Sequence, residues 1–399
     1  MTNPVKRITV TVDGEPAGSL VEQGRKDFSF TYHPEARDRE VSLTMPWRDA
    51  SWHFPGVHPV FAQNLPEGYL KDVLARTVRK LHGASDLALL ASLGPFQIGR
   101  LGYQAPGTPV ESPASGETLD GLLRSGDPDL FDQLVEKYAL RSGISGVQPK
   151  VLVDLRDKAA IRSGRLIVKS WGDDFPQLAL NEYYCMRVAD LAGLEVPRFD
   201  VSLDGRLFVM ERFDVKGDGG FLGFEDACSL QGLVPEEKYD STYERLIATV
   251  ETYVSPEQVN RARRTLFTSL LVSWAVRNGD AHLKNFGLLY ADTRSAVRLA
   301  PAFDIVTTTV YLSKDVPALQ LGGSKRWWKV KMLEQLGRRH CKLSPATVRE
   351  QMAKVVNAVD RVVPEMDEAP PYFRDIGQSM KEQWTRARNE LADFLNTPH

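Results

Sequence analysis

The stretch that decides the fold reads Gly279-Asp280-Ala281-His282-Leu283-Lys284-Asn285-Phe286-Gly287. It follows a predicted helix whose apolar face carries Leu266, Leu270 and Trp274. Phosphoryl transfer needs a carboxylate that orients the attacking hydroxyl and accepts its proton, and a nearby oxygen ligand for Mg²⁺. The D-x-x-x-x-N spacing meets both needs and is used in the catalytic loop of protein kinases. By itself this spacing is more often a polar turn after a helix, so its neighbours decide the interpretation.

A second aspartate follows about twenty residues later, after the strand-like run 297–300, in the sequence Phe303-Asp304-Ile305-Val306. A kinase keeps its metal-chelating aspartate at this place. A helix cap is the ordinary role for an aspartate at a strand end. An aspartate flanked by Phe, Ile and Val is nevertheless costly to desolvate without a cation or hydrogen bonds. The position therefore favours a functional role for Asp304.

A lysine and a glutamate lie upstream in the order that nucleotide binding requires. Lys169 ends the apolar strand 166–168, where its ammonium could neutralise nucleotide phosphates if a carboxylate fixed it. Glu182, in the next predicted helix, is the candidate carboxylate. A lysine that simply extends from a strand end into solvent is the more frequent case for any lone example.

Two further segments complete the set of candidate nucleotide-binding motifs along the chain. The first precedes the strand 151–155 and reads Ser142-Gly143-Ile144-Ser145-Gly146-Val147-Gln148-Pro149-Lys150. Its small residues let backbone N–H groups approach phosphates, although a plain turn fits equally well. The second, Met210-Glu211-Arg212-Phe213-Asp214, closes the strand-rich region where an interlobe hinge would offer backbone groups to adenine and Asp214 to a ribose hydroxyl. The ordered set is more informative than any one member.

Composition excludes some other classes of protein. The 399 residues carry 50 basic and 52 acidic side chains, a net charge of −2, so direct binding to nucleic acid is not favoured. The three cysteines have no zinc-ligand spacing and are expected to be reduced thiols. No apolar signal segment or membrane-length apolar run occurs in the sequence, which predicts a cytoplasmic protein without membrane contact.

The pattern of elements predicts an α+β fold with a two-lobed, protein-kinase-like arrangement and an additional N-terminal α/β domain. The expected divisions are an N-terminal domain (1–104), a linker or surface loop (105–118), a strand-rich, nucleotide-binding small lobe (119–239) and a helical large lobe (240–399). Within them, Asp13-Gly14 predicts a hairpin turn and residues 42–46 a strand. The stretches 60–92 and 119–139 are expected to be helical.

The motifs together resemble those of the HipA family, bacterial serine/threonine kinases that are the toxins of type II toxin–antitoxin modules. The resemblance rests on Ser145–Lys150, Asn181–Cys185, Glu211–Asp214, Gly279–Phe286 and Phe303–Val306, and extends to Ser42–Pro46 and Asn64–Gly68. It covers nearly the whole chain. It implies a two-lobed kinase fold preceded by an extra N-terminal domain, with ATP and Mg²⁺ as the nucleotide and the metal.

The resemblance also implies roles for individual residues. Asp280 would be the catalytic base, and Asn285 and Asp304 the Mg²⁺ ligands. His282 and Lys284 could stabilise the transferring phosphoryl group or simply pack the loop. Lys169 would bind phosphates, and the segment of Glu211, Arg212, Phe213 and Asp214 would bind adenine and ribose. Further nucleotide contacts would come from the loop residues Ser145, Gly146, Val147, Gln148 and Lys150.

Partners and regulation follow from the same resemblance. The implied protein substrate is an aminoacyl-tRNA synthetase, and the implied partner is a small helix-turn-helix antitoxin similar to HipB, through which DNA is contacted indirectly. Family members often switch themselves off by autophosphorylating a serine in the glycine loop. Gly143 stands where the first such serine is expected, so Ser142 and Ser145 are the candidates. The segment 94–102 matches the family pattern only in part, which weakens any inference about antitoxin docking.

Two other functions remain open at this point. A kinase-like module that regulates transcription with its partner but transfers no phosphate would share this layout, although Asp280, Asn285 and Asp304 are all intact. A small-molecule phosphotransferase uses a similar loop that begins H-x-D. Here Asn278 stands in the histidine position, and such a function leaves the N-terminal domain without a role.

Overall fold

A computed structural model describes residues 5–24, 27–68, 85–105, 116–138, 148–155, 165–217 and 219–397. The chain divides into two compact units. The first consists of Met1–Ser170, Val209–Pro235 and Leu288–Val297, and the second of Trp171–Phe208, Glu236–Gly287 and Arg298–His399. Neither unit is continuous in sequence, because the chain passes from one to the other more than once.

An antiparallel five-stranded sheet forms the N-terminal part of the first unit. Its strands are β1 (Arg7–Val12), β2 (Glu15–Gly24), β3 (Asp27–Tyr32), β4 (Trp52–Pro55) and β5 (Leu101–Gln104). They lie side by side in the order β4-β3-β2-β1-β5. Asp13 and Gly14, which join β1 to β2, have φ angles of 51° and 85°. Positive φ at both central residues is typical of a two-residue hairpin turn. The predicted turn is confirmed.

Apolar side chains of the sheet form the core of this part. Alternate residues of β1, namely Ile8, Val10 and Val12, are buried and project from one face of the strand, and Thr11 on the other face is buried as well. Phe30 and Phe61 pack their rings with centroids 5.2 Å apart in the same core. Two helices, α1 (Pro59–Ala62) and α2 (Asp86–Leu93), overlap the two ends of the predicted helical stretch 60–92. Residues 69–84 of that stretch lie outside the described residues.

Residues 42–46 do not form the predicted strand, so that prediction is wrong. The segment is a tight turn in which the Met45 N–H donates to the Ser42 carbonyl at 3.4 Å. The carboxylate of Glu225 holds the turn, accepting hydrogen bonds from the Ser42 hydroxyl at 2.6 Å and the Leu43 N–H at 2.7 Å. Because Glu225 is 183 residues from Ser42 along the chain, no local pattern could have indicated this contact.

The predicted helix over 119–139 is also wrong in its middle. The structure has two short helices, α3 (Leu119–Arg124) and α4 (Leu130–Tyr138), with Thr118 capping the first by accepting from the Gly121 N–H. The sequence Ser125-Gly126-Asp127-Pro128 separates them. Glycine and proline both disfavour a continuous helix, so the first helix ends before this segment and the second begins after it.

A second sheet belongs to the same unit. Strands β6 (Lys150–Asp154) and β7 (Arg165–Lys169) pair in antiparallel fashion, and β9 (Phe208–Glu211) lies on the other side of β7. A further pair is formed by β10 (Gly223–Asp226) and β11 (Gly287–Tyr290), and the short helix α6 (Ala227–Leu230) follows β10. All of these strands except β11 lie within 119–239, the region predicted to be strand-rich, whereas β11 lies in the region predicted to be helical.

The second unit is mainly helical. Its helices are α5 (Leu178–Leu191), α7 (Tyr243–Tyr253), α8 (Val259–Ala275), α9 (Val330–Gln335), α10 (Pro345–Glu365) and α11 (Arg374–Asn396). It also contains the short strands β8 (Phe199–Val201) and β12 (Arg298–Leu299). Trp274 of α8 and Trp384 of α11 are among its largest buried side chains. Within the described ranges, no helix combines the length and the apolar composition needed to cross a bilayer.

Candidate active site

The end of α8 turns the chain into the loop that carries Asp280. The helix stops at Ala275, and Arg277 adopts a left-handed conformation with φ of 58°. The Asn278 N–H then donates back to the Ser273 carbonyl at 2.8 Å, while the Asn278 side chain accepts from the Asp280 N–H at 3.1 Å. A left-handed residue other than glycine is strained and persists only where its surroundings hold it. The loop is therefore fixed at its start.

Gly279 allows a close approach that no other residue would permit. A Cβ added there would lie 1.9 Å from Asp315 Oδ2 and 2.7 Å from Thr308 Oγ1. Its N–H donates to Thr308 Oγ1 at 2.8 Å, and the Thr308 hydroxyl is in turn bonded to the Asp315 carboxylate. Because glycine has no Cβ, the segment that follows Asp304 can pack directly against the catalytic loop.

Asp280 is a mostly buried carboxylate with a tyrosine hydroxyl on one oxygen. Tyr239 Oη donates to Asp280 Oδ1 at 2.7 Å. Burial raises the pKa of Asp280 to about 6, the Asp304 carboxylate contributes in the same direction, and the hydrogen bond from Tyr239 opposes both. A pKa in this range suits a base that must be ionised, yet basic enough to accept a proton, near neutral pH.

Asn285 and Asp304 are brought together as the sequence predicts. Asn285 Nδ2 donates to Asp304 Oδ2 at 3.0 Å, and Asn285 Oδ1 accepts from the His282 N–H at 2.9 Å. The two residues lie close together because the chain folds back after the loop. The Ala300 N–H then donates to the Gly287 carbonyl at 2.8 Å. Asp304 itself has φ of 61°, a conformation that aspartate tolerates better than most residues.

The segment after Asp304 is held by side chains from two helices of the same unit. Asn181 of α5 accepts from the Thr307 N–H at 2.7 Å and donates to the Thr307 carbonyl at 3.0 Å. Trp384 of α11 donates to Thr307 Oγ1 at 2.9 Å. These contacts fix the backbone just beyond the left-handed Asp304. The sequence contains no local signal for them, because Thr307 is 126 residues from Asn181.

The donor set suits Mg²⁺. Among the described residues no three His, Cys, Asp or Glu side chains converge as a complete metal cage. Mg²⁺ rarely needs one, because it keeps waters and substrate phosphates beside one or two protein oxygens. The carboxylate of Asp304 and the amide oxygen of Asn285 are hard oxygen ligands of this kind. Both could hold the ion.

The two basic residues of the loop are mostly buried. His282 is 6% exposed and Lys284 9% exposed. The His282 ring contacts the Tyr239 ring edge to face, with centroids 5.2 Å apart. The His282 side chain therefore packs against Tyr239, and the Lys284 side chain is buried. A role for either on a phosphoryl group stays a prediction.

Lys150 and Lys169 face each other in the first unit. They are cross-strand partners on β6 and β7, and both are buried, at 4% and 2% exposure. Cross-strand partners project from the same face of a sheet, so the two ammonium groups lie on one side of this sheet. Gln148 lies beside them and donates to the Ser170 carbonyl at 3.1 Å. This arrangement suits a binder of phosphates.

Other predicted residues cannot be placed against this pair. Glu182, on α5 of the second unit, is completely buried, and its pairing with Lys169 stays a prediction. The glycine-loop residues Ser142, Ser145, Gly146 and Val147 lie outside the described residues.

The hinge segment divides into two kinds of residue. Glu211 is exposed, and Phe213 is half-buried with its ring 5.5 Å from that of Phe224. Arg212 and Asp214, in contrast, are 7% and 0% exposed. Arg212 donates to both Asp214 oxygens, from Nε at 2.9 Å and from Nη2 at 2.6 Å.

The N-terminal domain completes this buried pair. The Gly99 N–H donates to Asp214 Oδ2 at 2.6 Å, and Arg212 Nη2 donates to the Gln97 carbonyl at 2.5 Å. Both carboxylate oxygens are thus engaged inside the protein. The contacts of Asp214 with ribose and of Arg212 with nucleotide stay predictions. The pair ties the hinge segment to residues 97–99.

Sequence reasoning missed three residues of this site: Tyr239, Asn181 and Thr308. Tyr239 is 41 residues upstream of Asp280 and lies in no recognisable motif. Asn181 belongs to a motif shared with the HipA family, but the motif does not indicate a function for it. The sequence offered no direct signal for the hydrogen bonds of any of the three.

Comparison with known families decides the classification. The model of the HipA N-terminal domain matches residues 8–104, and that of the HipA-like C-terminal domain matches residues 142–363. The second match alone spans more than half of the chain. The chain belongs to the HipA family. The resemblance inferred from the motifs is confirmed.

Relatives of this HipA-family chain are named as kinases. The Sinorhizobium fredii protein Y4dM, named only as a candidate kinase, is 28% identical over 80% of this chain and 81% of its own length. The serine/threonine-protein kinase toxin HipA of Shewanella oneidensis is 24% identical over 62% of each chain. The family membership therefore supports a kinase-like toxin at the level of the family.

A solved structure agrees on the fold. The complex of Shewanella oneidensis HipA, HipB and operator DNA contains a chain that matches with a TM-score of 0.73 and 17% identity, covering 98% of this HipA-family chain and 100% of that one. At this identity the likeness shows the fold alone. The predicted α+β, kinase-like fold is confirmed.

Proposed function

We propose that this HipA-family chain is an ATP- and Mg²⁺-dependent serine/threonine protein kinase that acts as a growth-arresting toxin. The observation that carries the proposal is the loop around Asp280, which holds a buried carboxylate with raised pKa in the same unit as the hydrogen-bonded pair Asn285 and Asp304. A base and a metal-ligand pair are the parts that phosphoryl transfer requires of a protein.

The proposed reaction uses Asp280 as the base. The acceptor oxygen forms a bond to the γ-phosphorus of ATP while the bond from that phosphorus to the bridging oxygen breaks. ADP leaves with the electron pair, and the proton of the acceptor hydroxyl moves to the Asp280 carboxylate. Mg²⁺, when bound, neutralises charge on the phosphate oxygens. Asn285 and Asp304 would hold that ion and so fix the phosphates in line with the acceptor.

Residues of the first unit would bind the nucleotide. The cross-strand lysines Lys150 and Lys169 supply two positive charges on one face of a sheet, which suits the triphosphate. Gln148 and the loop residues Ser145, Gly146 and Val147 would contact the phosphates through backbone groups. Glu211 and Phe213 would contact adenine, since they are the hinge residues not committed to the buried ion pair.

The proposed partners follow from the family. The substrate is an aminoacyl-tRNA synthetase, modified on a serine, and the location is the cytoplasm, where such enzymes work. The chain would assemble with a HipB-like helix-turn-helix antitoxin and contact DNA only through it, in keeping with its net charge of −2. Autophosphorylation of Ser142 or Ser145 would switch the kinase off.

Induced expression followed by phosphoproteomics tests this proposal. The wild-type chain should phosphorylate a small set of proteins that includes a synthetase, and Asp280→Ala should phosphorylate none. Asp375→Ala, which removes an exposed carboxylate from α11, serves as the matched control and should behave as wild type. Nucleotide binding without any phosphorylated product would support a silent regulatory module instead.

Mass spectrometry of purified protein incubated with Mg-ATP tests the regulatory serines. We expect phosphate on Ser142 or Ser145 in the wild type and on neither in Asp280→Ala. Phosphate found only at other positions would remove both serines from the account.

A further inference from the structure

Tyr239 touches the proposed catalytic base, although no motif includes it. It lies between the 3-10 turn Pro235–Glu237 and helix α7. Its hydroxyl donates to Asp280 Oδ1 at 2.7 Å, a normal length for a hydroxyl bonded to a carboxylate. A tyrosine hydroxyl in this position supplies the carboxylate with a neutral, directional donor.

The segment that carries Tyr239 is attached to the catalytic loop by several independent contacts. The Leu283 N–H donates to the Lys238 carbonyl at 3.2 Å, and the Tyr243 hydroxyl donates to the Ala281 carbonyl at 3.3 Å. The Tyr239 ring packs edge to face on His282. Tyr239 therefore lies in a segment that is bonded to the catalytic loop at several points.

The hydrogen bond restricts the orientation of the carboxylate. An aspartate side chain rotates about a broad terminal torsion, so its two oxygens exchange places easily when nothing holds them. A hydroxyl bound at Oδ1 stops that exchange and leaves Oδ2 as the oxygen available to an incoming acceptor. A base acts efficiently only when it lies within hydrogen-bond reach of the proton that it takes.

We propose that Tyr239 is a positioning residue that holds the Asp280 carboxylate with Oδ2 presented to the acceptor hydroxyl. This role rests on the proposed kinase function. It concerns the chemical step and not the binding of ATP, because Tyr239 contacts the base and belongs to the unit that contains the metal-ligand pair.

One competing interpretation makes an opposite prediction. The Tyr239 hydroxyl could stand where the acceptor hydroxyl belongs, as an internal substitute that blocks the base. Removing it would then speed the reaction, or Tyr239 would itself be phosphorylated. The attachment of the segment to the loop favours positioning, because a blocking group must leave for the reaction to occur.

Steady-state ADP release from Mg-ATP, with water as the acceptor, separates these possibilities in the full chain. For Tyr239→Phe we expect kcat to fall on the order of tenfold, since a hydrogen bond to a charged group is lost. The KM for ATP should stay within about twofold of wild type because the nucleotide contacts are unaltered. Tyr372→Phe is the matched control: it removes a hydroxyl that donates to the Asp204 carbonyl at the protein surface, and should leave kcat and KM unchanged.

Each outcome supports or overturns the proposal. A fall in kcat with unchanged KM and an unchanged melting temperature supports it. An unchanged or increased kcat, a rise in KM alone, or phosphate on Tyr239 itself would overturn it while leaving the kinase function intact. Absence of ADP release from the wild type would overturn the proposed function and the role of Tyr239 together.

Discussion

The catalytic loop of the second unit and the hinge segment of the first contain similar polar residues that the structure uses in different ways. In the loop, Asn285 bonds to Asp304 and leaves Asp280 with a hydroxyl on one oxygen only. In the hinge, Asp214 is enclosed by Arg212 and by the Gly99 N–H, so both of its oxygens accept hydrogen bonds from the protein. A carboxylate that a protein keeps for chemistry is incompletely satisfied, and one that it keeps for structure is fully paired.

A large effect on the rate is expected at the proposed metal-ligand pair. Asp304→Asn removes the charge of the proposed metal ligand but keeps a side chain that tolerates the left-handed backbone. We expect phosphate transfer to fall by about 10²–10³-fold, because a metal ligand acts on the transition-state charge. The free energy of unfolding in urea should change by about 1 kcal/mol or less, because asparagine keeps the size of the side chain and an acceptor oxygen for Asn285. Transfer at the wild-type rate would contradict the role of Asp304.

A substitution in the hinge should mainly lower the free energy of unfolding. Asp214→Ala leaves the buried guanidinium of Arg212 without its carboxylate, which is expected to cost about 3–5 kcal/mol of unfolding free energy. The double variant Arg212→Met with Asp214→Leu should lose much less, because no buried charge is left alone. Urea denaturation of the two variants measures this difference. Equal losses in both would show that the ion pair is not what stabilises the contact with residues 97–99.

Gly279→Ala tests the close packing of the loop. The new Cβ would meet the Asp315 carboxylate at 1.9 Å, so the loop or Asp315 must shift. Such overpacking typically costs about 1–3 kcal/mol, and a displaced loop should also slow transfer. Asp315→Ala in the same chain removes the colliding atoms and should restore part of the rate. No recovery in the double variant would mean that Asp315 is not the source of the strain.

The smallest expected effect is the dependence on pH. Burial raises the pKa of Asp280 to about 6, so the carboxyl is protonated, and cannot accept a proton, at pH values where an ordinary aspartate is already ionised. The kcat/KM for transfer should therefore be constant above this pKa and fall about tenfold per pH unit below it. A pH–rate profile measured from pH 5 to 8 at constant ionic strength checks this. A profile that stays flat down to pH 5 would contradict the raised pKa or the role of Asp280 as base.

The sequence could predict the loop because its essential contacts are local. Asp280 and Asn285 lie in one short turn, and a single return of the chain brings Asp304 beside Asn285. The hairpin at Asp13-Gly14 was predictable for the same reason, since the turn chemistry lies in the two residues themselves.

Contacts between distant segments could not be predicted. The role of Asp214 depends on Gly99, 115 residues away, and the turn at residues 42–46 depends on Glu225. Tyr239 reaches Asp280 only through the folded position of residues 235–243. The local sequence indicated a strand end at Asp214, a strand at residues 42–46 and nothing at Tyr239. Side chains from elsewhere in the fold decide the structure at all three places.

The most direct test of the account is single-turnover transfer of γ-phosphate by Asp280→Asn at saturating Mg-ATP, with the Kd for ATP measured on the same preparation. If Asp280 is the base of a kinase, the rate should fall by about 10²–10⁴-fold while the Kd stays within about threefold of wild type. Transfer by Asp280→Asn at the wild-type rate, from correctly folded protein, would contradict the central claim.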